Sequence, residues 1–119
     1  MKAIRLRSRH WLVDERNRIV MGEGRRTILE NIEKTGSINR TAKLMKMSYK
    51  GVWSKIKVSE DYLQMRLVDT DRKKGTSLTA EGKALLEKYI TFKQWCEREE
   101  KMVFDRIFQD SFSTEAGDR

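Results

Sequence analysis

The stretch that decides the reading is Ser37-Ile38-Asn39-Arg40-Thr41-Ala42-Lys43-Leu44-Met45-Lys46-Met47-Ser48-Tyr49-Lys50-Gly51-Val52-Trp53-Ser54-Lys55-Ile56-Lys57. Ser37 is a good N-cap for a helix that carries Ile38, Ala42, Leu44 and Met45 and spans about two turns. Lys46-Met47 makes a tight connection, and Ser48 caps a further helix from Tyr49 to about Ser59. Ala42 is small where two helices cross closely, while Met45, Val52 and Ile56 are apolar at positions that turn inward. Upstream, Ile28, Leu29 and Ile32 form the stripe of a helix from about Arg25 to Lys34, stopped by Thr35-Gly36. Three short helices in succession, the last two closely joined, make the tri-helical unit of a helix-turn-helix.

With Val52 and Ile56 turned inward, the third helix presents Tyr49, Lys50, Trp53, Ser54 and Lys57 outward. These are the types that read a major groove. Lys50 can donate to guanine O6/N7 or to phosphate, Ser54 can bond to either kind of edge, and Lys57 is better placed for phosphate. Ser37, Arg40 and Ser48 sit where helix N-termini offer phosphate clamps. Trp53 fits a core position under the following strands as well as a DNA contact, and Tyr49 is open in the same way.

Working outward, Arg66 to Thr70 reads as a strand, Asp71-Arg72-Lys73-Lys74-Gly75-Thr76 as a polar turn, and Ser77-Leu78-Thr79 as the returning strand. Two strands around a basic turn directly after a helix-turn-helix form a wing, whose Arg72, Lys73 and Lys74 would meet flanking backbone or minor groove. Toward the N-terminus, Ile4, Leu6, Ser8, His10 and Leu12 alternate with Arg5, Arg7, Arg9, Trp11 and Val13, the period of a half-exposed strand. Ile19-Val20-Met21 follows a polar turn, so residues 3–21 read as a β-hairpin, with His10 an edge residue.

Thr79 caps a last helical pattern from about Ala80 to Gln109. Leu85, Tyr89, Phe92, Cys96, Val103 and Ile107 recur at spacings of three, four or seven, and the predicted length is about 45 Å at about 1.5 Å per residue. That exceeds what one small domain covers. A second copy of the chain is the natural cover for the distal half, the other possibility being a break near Glu97-Arg98-Glu99-Glu100-Lys101 that folds the helix back. The expected organisation is a winged helix-turn-helix with N-terminal hairpin over residues 1–79, a dimerisation helix over 80–110 and a flexible tail over 111–119. The fold class is mainly α with a small β component.

The charge agrees with this layout. The 119 residues hold 26 Lys+Arg and 18 Asp+Glu, a formal charge of +8. Residues 1–36 carry nine basic against five acidic residues, residues 37–75 ten against four, and residues 76–119 seven against nine. Between Ser37 and Ser59 six basic residues stand without an acidic one. An unopposed basic stretch on a folded element suits a polyanion partner, although a solvated Lys-rich face has the same composition.

One His and one Cys exclude a Cys/His zinc cluster and an intrachain disulfide. Cys96 is expected as a buried thiol in a reducing compartment. No metal, cofactor or catalytic constellation is apparent: there is no Ser-His-Asp set, no paired carboxylates and no phosphate-binding Gly-rich loop, so an enzyme is not expected. The N-terminus lacks a signal-peptide core and no run of 18 apolar residues exists, so the expected location is the cytoplasm.

Several of these residues also resemble a known family. Gly22-Glu23-Gly24-Arg25-Arg26 leading into a helix, then Thr35-Gly36-Ser37-Ile38, Ala42, Met47-Ser48-Tyr49-Lys50 with Trp53 three residues on, and Leu78-Thr79-x-x-Gly82 look like the DNA-binding domain of ModE-type molybdate-responsive regulators. The similarity covers about residues 3–95. It implies a winged helix-turn-helix like that of LysR-type regulators, dimerised through flanking helices and acting on operons for molybdate uptake and molybdenum enzymes in prokaryotes. No counterpart of the family's C-terminal molybdate-binding modules is expected within these 119 residues, and the wing is short and basic where the family's is longer and Gly-rich. The effector stays open: molybdate or tungstate at a dimer interface, a sensor on a partner protein, or none. The expected partners are double-stranded DNA and a second copy of the chain. The competing reading is a winged-helix protein-interaction module without direct DNA readout, for which acidic residues on the third helix would have spoken.

Overall fold

Three side chains cap the helices that carry the fold. In the computed structural model, which describes residues 3–108, Ser37 Oγ accepts from Arg40 N (3.0 Å), Ser48 Oγ from Gly51 N (2.9 Å) and Thr79 Oγ1 from Gly82 N (2.9 Å). Each satisfies a helix-start N–H that has no intrahelical partner. The helices are α1 (Glu23–Thr35), α2 (Ile38–Leu44), α3 (Tyr49–Leu63) and α4 (Ala80–Phe108). Gly36 ends α1 in the left-handed conformation, φ 70°, returning its N–H to Ile32 O. The tight connection between α2 and α3 is closed by Met47 N donating to Ala42 O at 2.9 Å, with Lys46 at φ 55°.

Two antiparallel strand pairs complete the architecture: β1 (Leu12–Val13) with β2 (Ile19–Met21), and β3 (Val68–Asp71) with β4 (Gly75–Leu78). The second pair is the wing, in the register Val68↔Leu78 to Asp71↔Gly75. Its turn, residues 72–74, is shorter than the expected Asp71 to Thr76. Asp71 Oδ1 accepts the N–H groups of Lys73 (2.7 Å) and Lys74 (3.1 Å), which holds the tip, and these bonds lower the Asp71 pKa. The fold is the winged helix-turn-helix expected from the sequence, with a long C-terminal helix.

The chain divides into two compact units. His10–Tyr89 is one. Its core gathers Ile28, Leu29 and Ile32 of α1, Ile38 and Ala42 of α2, Val52 and Ile56 of α3, Met21, Val68, Leu78 and Leu86. Two glycines allow backbones to meet there. Gly75, φ 87°, lies against Gly36, whose carbonyl accepts from Thr76 N at 2.9 Å, and a Cβ on Gly82 would stand 2.2 Å from Leu67 O. Among the described residues, the other unit joins residues 3–9 to residues 90–108. Within it Ser8 Oγ donates to Glu100 Oε1 at 2.7 Å, and Leu6 borders an apolar groove of about 400 Å³ with Val103, Phe104 and Ile107.

Several expectations are corrected. The N-terminal hairpin is shorter than residues 3–21. Beyond an isolated bridge at Ile4, only Leu12 and Val13 pair, because β2 is three residues long before the chain enters α1 and offers no edge to a ten-residue strand. The third helix passes Ser59 and runs to Leu63, ending where Gln64 turns left-handed at φ 56°. The last helix has no break at residues 97–101. Cys96 is half-buried rather than buried. Tyr89, expected on a face shared between copies, is instead 1% exposed inside the His10–Tyr89 unit, where its hydroxyl donates to His10 O at 2.7 Å. The end of the last helix at Gln109 and the tail, 111–119, lie outside the described residues.

Candidate nucleic-acid interface

The apolar side of α3 fixes what its other side presents. Val52 and Ile56 are fully buried, Met45 half-buried, and Tyr49, Lys50, Ser54 and Lys57 face solvent, Tyr49 at 51% exposure. Trp53, left open by the sequence, is half-buried, with Lys57 Nζ 6.0 Å from its ring centroid in a cation–π arrangement. Trp53 thus shapes the face while contributing part of its edge to it. Ser48 is exposed, and because its Oγ acts as acceptor in the cap, its O–H remains a donor to an outside group. Ser37 is half-buried in the same role at the start of α2, and Arg40 is exposed one turn on.

Arg72, Lys73 and Lys74 are all exposed at the wing tip, in the same unit as α3. What positions the wing relative to α3 is a residue that the sequence reading passed over. Glu60, 6% exposed, accepts from Leu67 N (2.8 Å) and Val68 N (3.3 Å), and its other oxygen lies 3.5 Å from Lys57 Nζ. The signal was present, since Glu60 falls four residues after Ile56 on the inward stripe. At the preceding residue of α3, Arg25 Nε donates to Ser59 Oγ (2.8 Å), which donates to Val20 O (2.6 Å), tying α1 and β2 to α3; burial lowers the Arg25 pKa. A carboxylate and a guanidinium inside the unit therefore set the geometry of the outer basic surface.

Chemically, this surface supplies donors, with no exposed carboxylate on the stretch from Ser37 to Ser59. That set matches phosphate oxygens and the acceptor-rich edge of guanine, and offers little to a cation. Among the described residues no group of three or more His, Cys, Asp or Glu could hold a metal ion. Nor is any described helix long and apolar enough to cross a membrane.

The matching geometry has relatives. Residues 27–83 match the model of the bacterial regulatory helix-turn-helix proteins of the lysR family. The segment runs from within α1 to the first turn of α4, so Gly82 and the capping Thr79 lie inside the match. In overall course the chain is similar to the crystal structure of the CbnR DBD–DNA complex, with a TM-score of 0.59 at 20% identity over 73% of this chain and 99% of that one. It is also similar to Vibrio fischeri DarR in complex with DNA, TM-score 0.53 at 23% identity, over 68% of this chain and 27% of that one. At the sequence level it is 30% identical over 102 residues to the molybdenum transport protein ModE of Azotobacter vinelandii, covering 82% of this chain and 36% of that protein. The chain thus spans about a third of the length of that curated relative.

The α4 residues form a separate set. Phe92, Trp95, Met102, Val103 and Ile107 are exposed, Trp95 at 60% and Ile107 at 61%, while Leu85 and Cys96 are half-buried. Trp95 is the member that the sequence-derived face lacks, although its spacing of three from Phe92 and seven from Met102 places it on the flank of that face. Arg98 lies 5.5 Å from the Trp95 ring.

Proposed function

We propose that this chain is a sequence-specific transcriptional regulator that binds double-stranded DNA as a homodimer, with α3 in the major groove. The observation that carries the reading is the outer face of α3, where Tyr49, Lys50, Ser54 and Lys57 stand exposed on a helix whose opposite side is fully buried. Lys50 and Ser54 read base edges, Tyr49 and the edge of Trp53 supply apolar contact, and Ser37, Arg40, Ser48 and Lys57 hold phosphates. Arg72, Lys73 and Lys74 of the wing meet the flanking backbone. A family of bacterial regulators matching residues 27–83 supports this reading, as does the similarity in fold to two complexes with DNA.

The dimer is formed through α4, by Phe92, Trp95, Cys96, Val103 and Ile107, with Leu85 at its margin. The pathway is control of molybdenum-related genes, as in the ModE type, supported by the 30% identity to the Azotobacter protein. No cofactor enters this reading, the site of action is the cytoplasm, and the DNA-reading surface carries no catalytic role.

Mobility shifts with fragments upstream of molybdate-transport genes, against unrelated fragments of equal length, test the reading. Retardation of the former at lower protein concentration is expected. Its affinity should fall with salt at a log–log slope of about −4.5 per protomer, or about −9 for the dimer, from the cationic phosphate contacts of Arg40, Lys57, Arg72, Lys73 and Lys74 at about −0.9 each. Salt-independent binding, or no binding to any genomic fragment, sinks the proposal.

A further inference from the structure

The wing is fastened to the helices at its base and again near its tip. At the base Glu60 Oε2 takes the Leu67 N–H (2.8 Å), Leu67 O takes the Thr79 N–H (3.0 Å), and Thr79 Oγ1 donates to Arg66 O (2.6 Å). Nearer the tip Thr76 N donates to Gly36 O at 2.9 Å, in the turn between α1 and α2. The first of these bonds shares its carboxylate with the outer face of α3. Glu60 Oε1 lies 3.5 Å from Lys57 Nζ, and that ammonium also stands 6.0 Å from the centroid of the Trp53 ring. The Lys57 side chain is 47% exposed, and an ammonium has three protons, so one turned toward Glu60 leaves two for an outside acceptor. A lysine that would otherwise roam is thus held by the same buried group that holds the wing. Lys57 and the wing stand at a fixed separation, all within the His10–Tyr89 unit.

We propose that Glu60 is a positioning residue that makes binding depend on the shape of the duplex beside the bases read by α3. The inference rests on the reading of α3 and the wing as a DNA-binding surface. In that reading Lys57 and the wing tip meet separate backbone phosphates. With the separation between them fixed, the protein does not adapt to a groove of another width. The duplex deforms instead, and the cost of deforming it depends on its sequence at base pairs that no side chain touches. Glu60 is buried and meets no DNA itself; it acts through Lys57 and through the Leu67 and Val68 N–H groups. Glutamine in its place keeps an acceptor for the wing but has no charge to hold the ammonium, so Lys57 is released while the wing stays.

The test selects bound sites from a randomised duplex pool with the full chain and its variants E60Q, K57A and E60Q/K57A, at a temperature where circular dichroism shows them folded. Positions whose preference Lys50→Ala alters are the ones α3 reads; the flanking positions are the rest. E60Q and K57A are each expected to keep the preference at the α3 positions and lose it at the flanking ones, and the double variant to lose no more than either. K57A should also take about one unit off the log–log salt slope, at about 0.9 per phosphate contact, whereas E60Q, which retains the lysine, should not. Flanking preference that survives in E60Q or in K57A overturns the role of Glu60 and leaves the α3 reading standing. Loss of preference at all positions in E60Q also overturns it, because a carboxylate that only supports the fold gives that result. Should E60Q not fold, K57A decides alone. An unsubstituted chain with no preference at any position overturns the α3 reading and this inference with it.

Discussion

Glu60 and Leu67 are joined across the corner between α3 and the wing: Glu60 Oε2 accepts the Leu67 N–H at 2.8 Å, and that of Val68 at 3.3 Å. All three residues are buried, so the bonds have no water to replace them. Glu60→Ala leaves two buried N–H groups unsatisfied, each costing about 1–3 kcal/mol. We expect a loss of about 2–4 kcal/mol in urea unfolding, and a smaller one for Glu60→Gln, which keeps an acceptor oxygen. An alanine variant as stable as the parent means the wing is held in place by something other than this carboxylate.

Gly82 and Gly24 are both helical glycines with opposite surroundings. A Cβ at Gly82 would stand 2.2 Å from the Leu67 carbonyl oxygen, a backbone atom that the Thr79 N–H also grips at 3.0 Å. A Cβ at Gly24 meets nothing within 4 Å. Gly82→Ala should therefore destabilise by about 1–3 kcal/mol or more through forced backbone displacement. Gly24→Ala should stabilise by up to about 1 kcal/mol from helix propensity alone. The two thermal midpoints should move in opposite directions; a shared direction refutes the close approach at Gly82.

The helix-turn-helix was legible because its signals are local. Ser37, Ser48 and Thr79 cap helices within three residues of themselves, and Val52 and Ile56 declare the buried side of α3 by spacing alone. The misreadings lie where the deciding partner is distant in sequence. Alternation from Ile4 to Val13 reports an extended chain but not whether a strand stands beside it, and β2 is too short to serve. Tyr89 shares the phase of Phe92 and Cys96, yet periodicity does not say which body covers a face, and the His10 carbonyl, 79 residues away, settles it for Tyr89. Glu60 was passed over because an acidic residue near an expected helix end reads as solvated, while the two N–H groups it satisfies belong to the next element.

The β1–β2 turn carries a pH signature. Asp14 is buried, and its pKa lies below the ordinary carboxylate value of 3.8, first through the backbone N–H of Arg18, then through the Arg18 side chain and the Arg16 N–H. The folded chain thus resists protonation that the unfolded chain accepts. The stability contributed by Asp14 is complete above the unfolded value and is lost as pH falls through the lower folded one. Thermal midpoints taken between pH 5 and pH 2 should fall more steeply for the parent than for Asp14→Asn. Parallel curves for the two proteins rule out this contribution.

For α4, the expectation concerns assembly. Trp95→Asp and Val103→Asp place a charge on the exposed apolar face and should shift sedimentation from dimer to monomer, since a carboxylate buried without a partner costs several kcal/mol. Tyr89→Phe is the contrasting change. It removes the hydroxyl that donates to His10 O at 2.7 Å and lies 3.4 Å from Glu23 Oε2 inside the His10–Tyr89 unit, so it should lower stability by about 1 kcal/mol and leave the oligomeric state alone. A parent chain that sediments as a monomer at all concentrations eliminates the dimer.

The division of labour between α3 and the wing makes the sharpest prediction about DNA. Lys50 and Ser54 are exposed on α3, proposed above as the reading helix, whereas Lys73 is exposed in the wing turn, whose backbone Asp71 holds, and is proposed to meet phosphate alone. Lys50→Ala and Ser54→Ala should alter which sites are preferred, each costing about 1–3 kcal/mol at the best site and little on random sequence. Lys73→Ala should weaken every site by a similar factor and make the salt slope shallower by about one unit. Selection from a randomised duplex pool gives the preference, and titration at several salt concentrations gives the slope. If the three variants shift both measures alike, α3 is not the reading helix, because a surface that binds only by charge cannot tell Lys50 from Lys73.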